Sequence, residues 1–179
     1  MRRWVALLRG VNVGGGNKIA MPALEASCSD AGLERVVTYI QSGNVVFDAA
    51  GDEASVCTAL RTILLEQHGL KVPIVVRSAK ELAGVPDKHP GLAEGIDPKF
   101  LHVHFLDRKV TPAQITTVDP APFGSDTFAV DGRHIYVTYP NGSGRSKLTI
   151  EVFERAFGVT ATGRNLNTVR ALISLANAR

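Results

Sequence analysis

Apolar positions follow two rhythms along this chain, alternating or continuous short runs and runs spaced by three and four. The switches between them fall at glycine and proline clusters. The run Trp4 to Leu8 predicts a strand over residues 3–9 that ends at Gly10. Met21, Leu24, Cys28 and Ala31 recur at helical spacing, with Pro22 suited to a first turn and Gly32 as the stop. Residues 36–41 and 44–48 read as two strands joined by a short hairpin at Ser42-Gly43. A second helix is predicted over 52–68 from Val56, Leu60, Ile63 and Leu64, with Asp52 and Glu53 complementing its dipole. Residues 72–76 give a fourth strand. The order β-α-β-β-α-β is the split ferredoxin-like unit, with two helices on one face of an antiparallel sheet.

The second half repeats that order. A strand is predicted at 100–107, a short helix at 112–118 opened by Thr111-Pro112, and a hairpin of 126–131 with 133–139 around Asp131-Gly132. A helix over 147–157, an extended piece at 159–162 and a final helix over 166–177 complete it. Between the halves, Gly84, Pro86, Pro90, Gly91, Gly95 and Pro98 break any long element, with room for a short helix at Lys80–Ala83. The fold class expected is therefore α+β, two ferredoxin-like β-α-β-β-α-β halves with antiparallel sheets plus a C-terminal helix. The expected division is 1–79, a linker at 80–98, and 99–179.

Composition narrows the function classes more than it selects among them. With 45% apolar and 21% charged residues, 179 residues suffice for a real core. The net charge of +3 is spread along the chain, which permits an anionic partner without requiring one. Cys28 and Cys57 fall inside helical patterns with no metal spacing, so reduced thiols are expected. About five apolar residues precede Arg9, too few for a signal segment, and no run approaches the ~18 of a membrane span. A cytoplasmic protein with no membrane partner and no cofactor is the expectation.

Four polar stretches stand out. Arg9 to Lys18 brackets Gly14, Gly15 and Gly16 with two cations, and Asn12 and Asn17 supply amides. Glycine backbone N–H groups ahead of a helix start suit an anion, although the stretch is neither GxGxxG nor a Walker A loop. A long loop with glycines for turn geometry accounts for it equally well. Tyr139 to Leu148 carries Arg145, Ser146 and Lys147 from a strand into a helix. It resembles a phosphate cradle by composition, and Ser146 also suits a helix N-cap. Arg164, Asn165, Asn167 and Thr168 stand at the entrance to the last helix, where an asparagine would cap. Gln41, Ser42 and Asn44 place neutral hydrogen-bonding groups on the first hairpin, which a polar turn also explains.

Other chemistry is poorly supplied. His102 and His104 are two apart on one strand, and His134 lies on a strand that could pair beside them, but no acid accompanies them, so no metal is expected. His68 and His89 read as surface residues. There is no nucleophile elbow and no HExxH, and the RNA-recognition aromatic pattern is missing from the third strand.

Val5 to Gly15 and Tyr39 to Phe47 resemble the signatures of a bacterial uncharacterised family, domain of unknown function 1697. Tyr139 to Leu148 and Arg164 to Thr168 resemble its later signatures, so the likeness covers nearly the whole chain. The resemblance implies two ferredoxin-like parts and supplies no activity. Two positions depart from the family pattern, which often has a cation where Gly16 stands and a tryptophan where Leu166 stands.

Three functions are carried forward. In the first, Arg9, Asn12, Gly14, Gly15, Lys18, Gln41, Ser42, Asn44, Arg145, Ser146, Lys147, Arg164, Asn165 and Asn167 bind a phosphate-bearing small molecule or nucleic acid in a cleft between the halves. In the second, the same groups form an internal polar network or a homodimer interface. In the third, the protein is a hydrolase or transferase on a phosphorylated substrate. The nearest general base for that reaction is Asp48, and no catalytic residue is assigned.

Overall fold

A computed structural model describes residues 1–178. The elements are β1 (Arg2–Leu8), α1 (Met21–Asp30), β2 (Glu34–Tyr39), β3 (Asn44–Ala49), α2 (Glu53–His68), β4 (Ile74–Ser78) and α3 (Ala79–Ala83). They are followed by α4 (Pro90–Ala93), β5 (Leu101–Leu106), α5 (Pro112–Ile115), β6 (Thr127–Asp131), β7 (His134–Thr138), α6 (Ile150–Phe157), β8 (Ala161–Asn165) and α7 (Leu166–Asn177). The strands form two four-stranded antiparallel sheets, ordered β2-β3-β1-β4 and β6-β7-β5-β8. Both orders are the ferredoxin-like one, and the α+β class predicted from the sequence holds.

The chain divides into two compact units, residues 1–84 with the segment from Ala171 onward, and residues 85–170. In the first unit, Trp4, Ala6 and Leu8 of β1 share a core with Leu24 and Cys28 of α1 and Val56, Leu60 and Leu64 of α2. Asp52 caps α2 through a reciprocal capping box with Ser55, and Gly69 ends it in the left-handed conformation. A bulge in β2 puts Arg35 at φ +46, and its Nε donates to Asp48 Oδ2 at 2.6 Å. Arg3 Nη1 lies 3.4 Å from the other oxygen of the same carboxylate.

In the second unit, Phe153 and Phe157 of α6 pack with Ile135, Val137 and Tyr139, and the buried Tyr139 hydroxyl donates to Leu148 O at 2.9 Å. Residues 80–98 form α3, a 3-10 turn at 86–88 and α4.

Several local expectations change. The last helix of the repeat begins at Ile150 rather than 147, because 143–145 is a separate 3-10 turn and Thr149 holds the N-cap position. His89 is buried: its Nδ1 accepts from Gly91 N–H at 3.2 Å and its Nε2 lies 3.3 Å from Val137 O. The register sets His134 opposite Phe105, so it occupies the other face of the sheet from His102 and His104. His68 is partly buried and bonds Ser27 Oγ at 2.8 Å.

Candidate functional site

The loop after β1 is built on left-handed residues. Gly10, Asn12, Gly14, Gly15 and Asn17 all have positive φ, which glycine and asparagine tolerate best. Asn12 pins the loop to itself and to the next hairpin. Its Nδ2 donates to Ile19 O at 2.8 Å and to Gln41 O at 2.9 Å, and its Oδ1 accepts from Ile19 N–H at 2.9 Å. The turn at 40–43 closes on β1 from the other side, with Leu8 N–H donating to Gly43 O at 2.8 Å. Gly43 has φ +76, and a Cβ there would stand 2.8 Å from Leu8 Cβ and 3.2 Å from Val11 Cβ, so the close approach excludes any side chain. Asn44 is fully buried and closes the same turn, donating to Tyr39 O at 3.0 Å and Ser42 Oγ at 3.2 Å. Two stretches singled out in the sequence thus meet in the first unit.

Where they meet, Asn12, Gly15, Lys18, Ile19, Ala20 and Gln41 line a cavity of about 540 Å³. No acidic side chain is among them. Lys18 and Gln41 are exposed, and among the described residues neither the ammonium nor the side-chain amide has a hydrogen-bond partner. Ala20, at the N-cap of α1, offers no side-chain cap, and the first turn holds no acid. The N–H groups of Met21 and Ala23 in the first turn are therefore uncapped, while Pro22 between them has none. Arg9 lies at the end of β1, half-buried, with its backbone N–H on Pro73 O at 2.9 Å.

The later stretches differ in character. Arg145, Ser146 and Lys147 line a cavity of about 290 Å³ together with Asp126. Ser146 Oγ donates to Asp126 Oδ2 at 2.6 Å and accepts from Leu148 N–H at 2.9 Å, so it ties two loops together rather than capping α6. The Asp126 carboxylate opposes an anion at this place, and nothing local in the sequence signals its arrival. Arg164 lies within β8, buried, with Nη1 on Thr162 Oγ1 at 2.9 Å and on Gly163 O at 2.7 Å. Burial alone holds its guanidinium at about 10, below the ordinary value for arginine. Asn165 Oδ1 accepts from Thr168 N–H at 2.8 Å and so caps α7, while Asn167 is exposed on the first turn of that helix.

Nucleophiles and bases are engaged or inert. The hydrogen bond from Arg35, and then the charge of Arg3, hold Asp48 below the usual carboxylate range. Burial, then nearby Glu25, pushes the Cys28 thiol up to about 12. His102 stacks edge-on against Tyr139 with centroids 5.0 Å apart. Among the described residues no three His, Cys, Asp or Glu side chains could share a metal ion, and no helix is long and apolar enough to cross a membrane.

Comparison with known proteins agrees with the fold. A family profile described as "Protein of unknown function (DUF1697)" matches residues 1–136. A solved structure, that of the conserved bacterial protein SP0830 from Streptococcus pneumoniae, is similar with a TM-score of 0.74 at 20% sequence identity. The match covers 99% of each chain. No curated protein matches significantly.

Proposed function

The chain belongs to the DUF1697 family, defined by its shared sequence and not by an activity, and from that premise we propose that it binds a phosphate-bearing small molecule at the loop site of the first unit. One observation carries the reading: Lys18, Gln41 and Ala20, the N-cap residue of α1, line one cavity whose lining contains no carboxylate among the described residues. That is the arrangement an anion needs. The volume, about 540 Å³, far exceeds a bare phosphate and suits a ligand of nucleotide size. Among the described residues Lys18 is the one lining cation, which matches a monophosphate better than a triphosphate.

The competing reading, in which polar positions serve the fold, accounts for Asn12, Asn44, Ser146 and Asn165, all of which bond nearby chain. It leaves Lys18 and the Gln41 side chain without a role. A phosphoryl-transfer or hydrolysis reading is less favoured, because Asp48 is committed to two arginines.

Isothermal titration with nucleoside monophosphates, sugar phosphates and inorganic phosphate tests the proposal. The organic phosphates should bind, and Lys18→Ala should weaken them by about tenfold, the value of one charge-assisted hydrogen bond. Absence of binding across the set, or binding indifferent to Lys18→Ala, would refute it.

A further inference from the structure

A second cavity of the first unit, of about 630 Å³, involves the start of β1 and the end of β4; Arg2, Trp4, Glu53, Ser78, Lys80 and Glu81 are among its lining residues. Trp4 is 1% exposed, and its Nε1–H is buried without a hydrogen-bond partner among the described residues. Leaving such a donor unpaired costs about 1–3 kcal/mol. The core does not require it, since Trp4 sits opposite Phe47 and Ser78 in the sheet and a phenylalanine ring would supply apolar packing without the orphan N–H.

The charged residues that line this cavity with Trp4 have both signs. The Arg2 guanidinium carbon stands 5.2 Å from the centroid of the Trp4 ring, and Lys80 is exposed on α3. Glu53 Oε1 lies 3.7 Å from Arg77 Nη1. Glu81 Oε2 accepts from Ser78 N–H at 3.1 Å and from Ser78 Oγ at 2.8 Å. A bare anion drawn to Arg2 and Lys80 would sit in the field of Glu53 and Glu81, and a bare cation in that of Arg2, Arg3 and Lys80, all of which line the cavity. A ligand carrying both charges meets neither penalty.

We propose that this cavity binds a small zwitterion of the α-amino-acid type. Its carboxylate is taken by Trp4 Nε1–H with Arg2 and Lys80, and its ammonium by Glu53 and Glu81. The inference is independent of the loop site, because none of the described residues lines both cavities.

Trp4 is the chain's one tryptophan, so its emission reports on this cavity alone. The full chain is titrated with free amino acids, with dipeptides, and with N-acetyl amino amides that carry neither terminal charge, following emission and the thermal midpoint together. Saturable responses to the zwitterions and none to the capped compounds are expected. Lys80→Ala and Arg2→Ala should each weaken the apparent affinity by about tenfold. Trp4→Phe, read by thermal midpoint, should keep the fold and lose affinity. A response confined to free amino acids identifies a metabolite, and one confined to dipeptides a peptide; both support the proposal. No response up to about 10 mM, far weaker than any specific site, overturns it. So does an equal response to the capped compounds, or affinity unchanged in Lys80→Ala, an exposed position whose loss leaves folding intact.

Discussion

Replacing Asp48 tests the electrostatic organisation of the first unit most directly. Its side chain is 12% exposed and that of Arg3 is 11% exposed, whereas Arg35 is half-exposed at 51%. Removing one partner of a buried ion pair costs about 3–5 kcal/mol, mostly through the charge left behind. Because one of the two arginines here reaches water, Asp48→Ala should cost less, about 2–3 kcal/mol. For a chain of this size that lowers the thermal midpoint by about 5–10 °C. The damage should spread to the C-terminal segment, since Arg3 Nη2 and Arg35 Nη1 also donate to Leu175 O and Ala178 O, each at 3.4 Å. Hydrogen exchange should therefore rise in the last turn of α7. The pH dependence has a definite sign. The folded carboxyl titrates below its unfolded value, so its contribution is complete above about pH 4 and is lost as pH falls through the folded value. The gap between wild type and Asp48→Asn should accordingly close in acid. A gap that stays constant from about pH 7 to pH 3, or an Asp48→Ala midpoint within error of wild type, would show that the Asp48 carboxylate does not stabilise the fold through Arg3 and Arg35.

Two further outcomes are expected. Gly43→Ala should destabilise by about 2–4 kcal/mol through overpacking and an unfavourable φ, while Gly15→Ala, with open space around its Cβ, should cost only about 1 kcal/mol; equal shifts in denaturant midpoint would contradict the close approach. Burial holds His89 and His102 below the ordinary imidazole value, so the unfolded chain takes up protons first, and stability should decline as pH drops below about 6.5. A thermal midpoint that stays flat down to about pH 5, or an acid slope undiminished in His89→Gln, would show that these rings are not buried as neutral groups.

The first half was legible because its signals are local. The glycine at 32, the acids Asp52 and Glu53 at a helix start and the unbroken Trp4–Leu8 run act within a few residues, and the elements formed close to where those signals placed them. The later helix begins at Ile150, after its predicted start at 147, because Ser146 resembles a cap in the sequence but does not serve as one. Its partner, Asp126, is 20 residues away and claims it in the folded chain. The same limit applies to His89, whose burial follows from Val137, distant along the chain.

What the sequence determined by itself was the alternation of strands and helices, and with it two antiparallel ferredoxin-like sheets, because periodicity and caps are written into neighbouring residues. The tertiary structure decided which of the polar stretches meet. It joined the Arg9–Lys18 loop to the Gln41–Asn44 turn through Asn12 and Gly43, and it turned Asn12 and Asn44 inward as pins. Lys18 and Gln41 were left facing a cavity. Among the described residues it also left the indole N–H of Trp4 without an acceptor, and Trp4 lines a cavity with charges of both signs. The physical reason is that hydrogen bonds and desolvation act across space, so which polar group is satisfied and which is left for a ligand is settled only when distant segments come into contact.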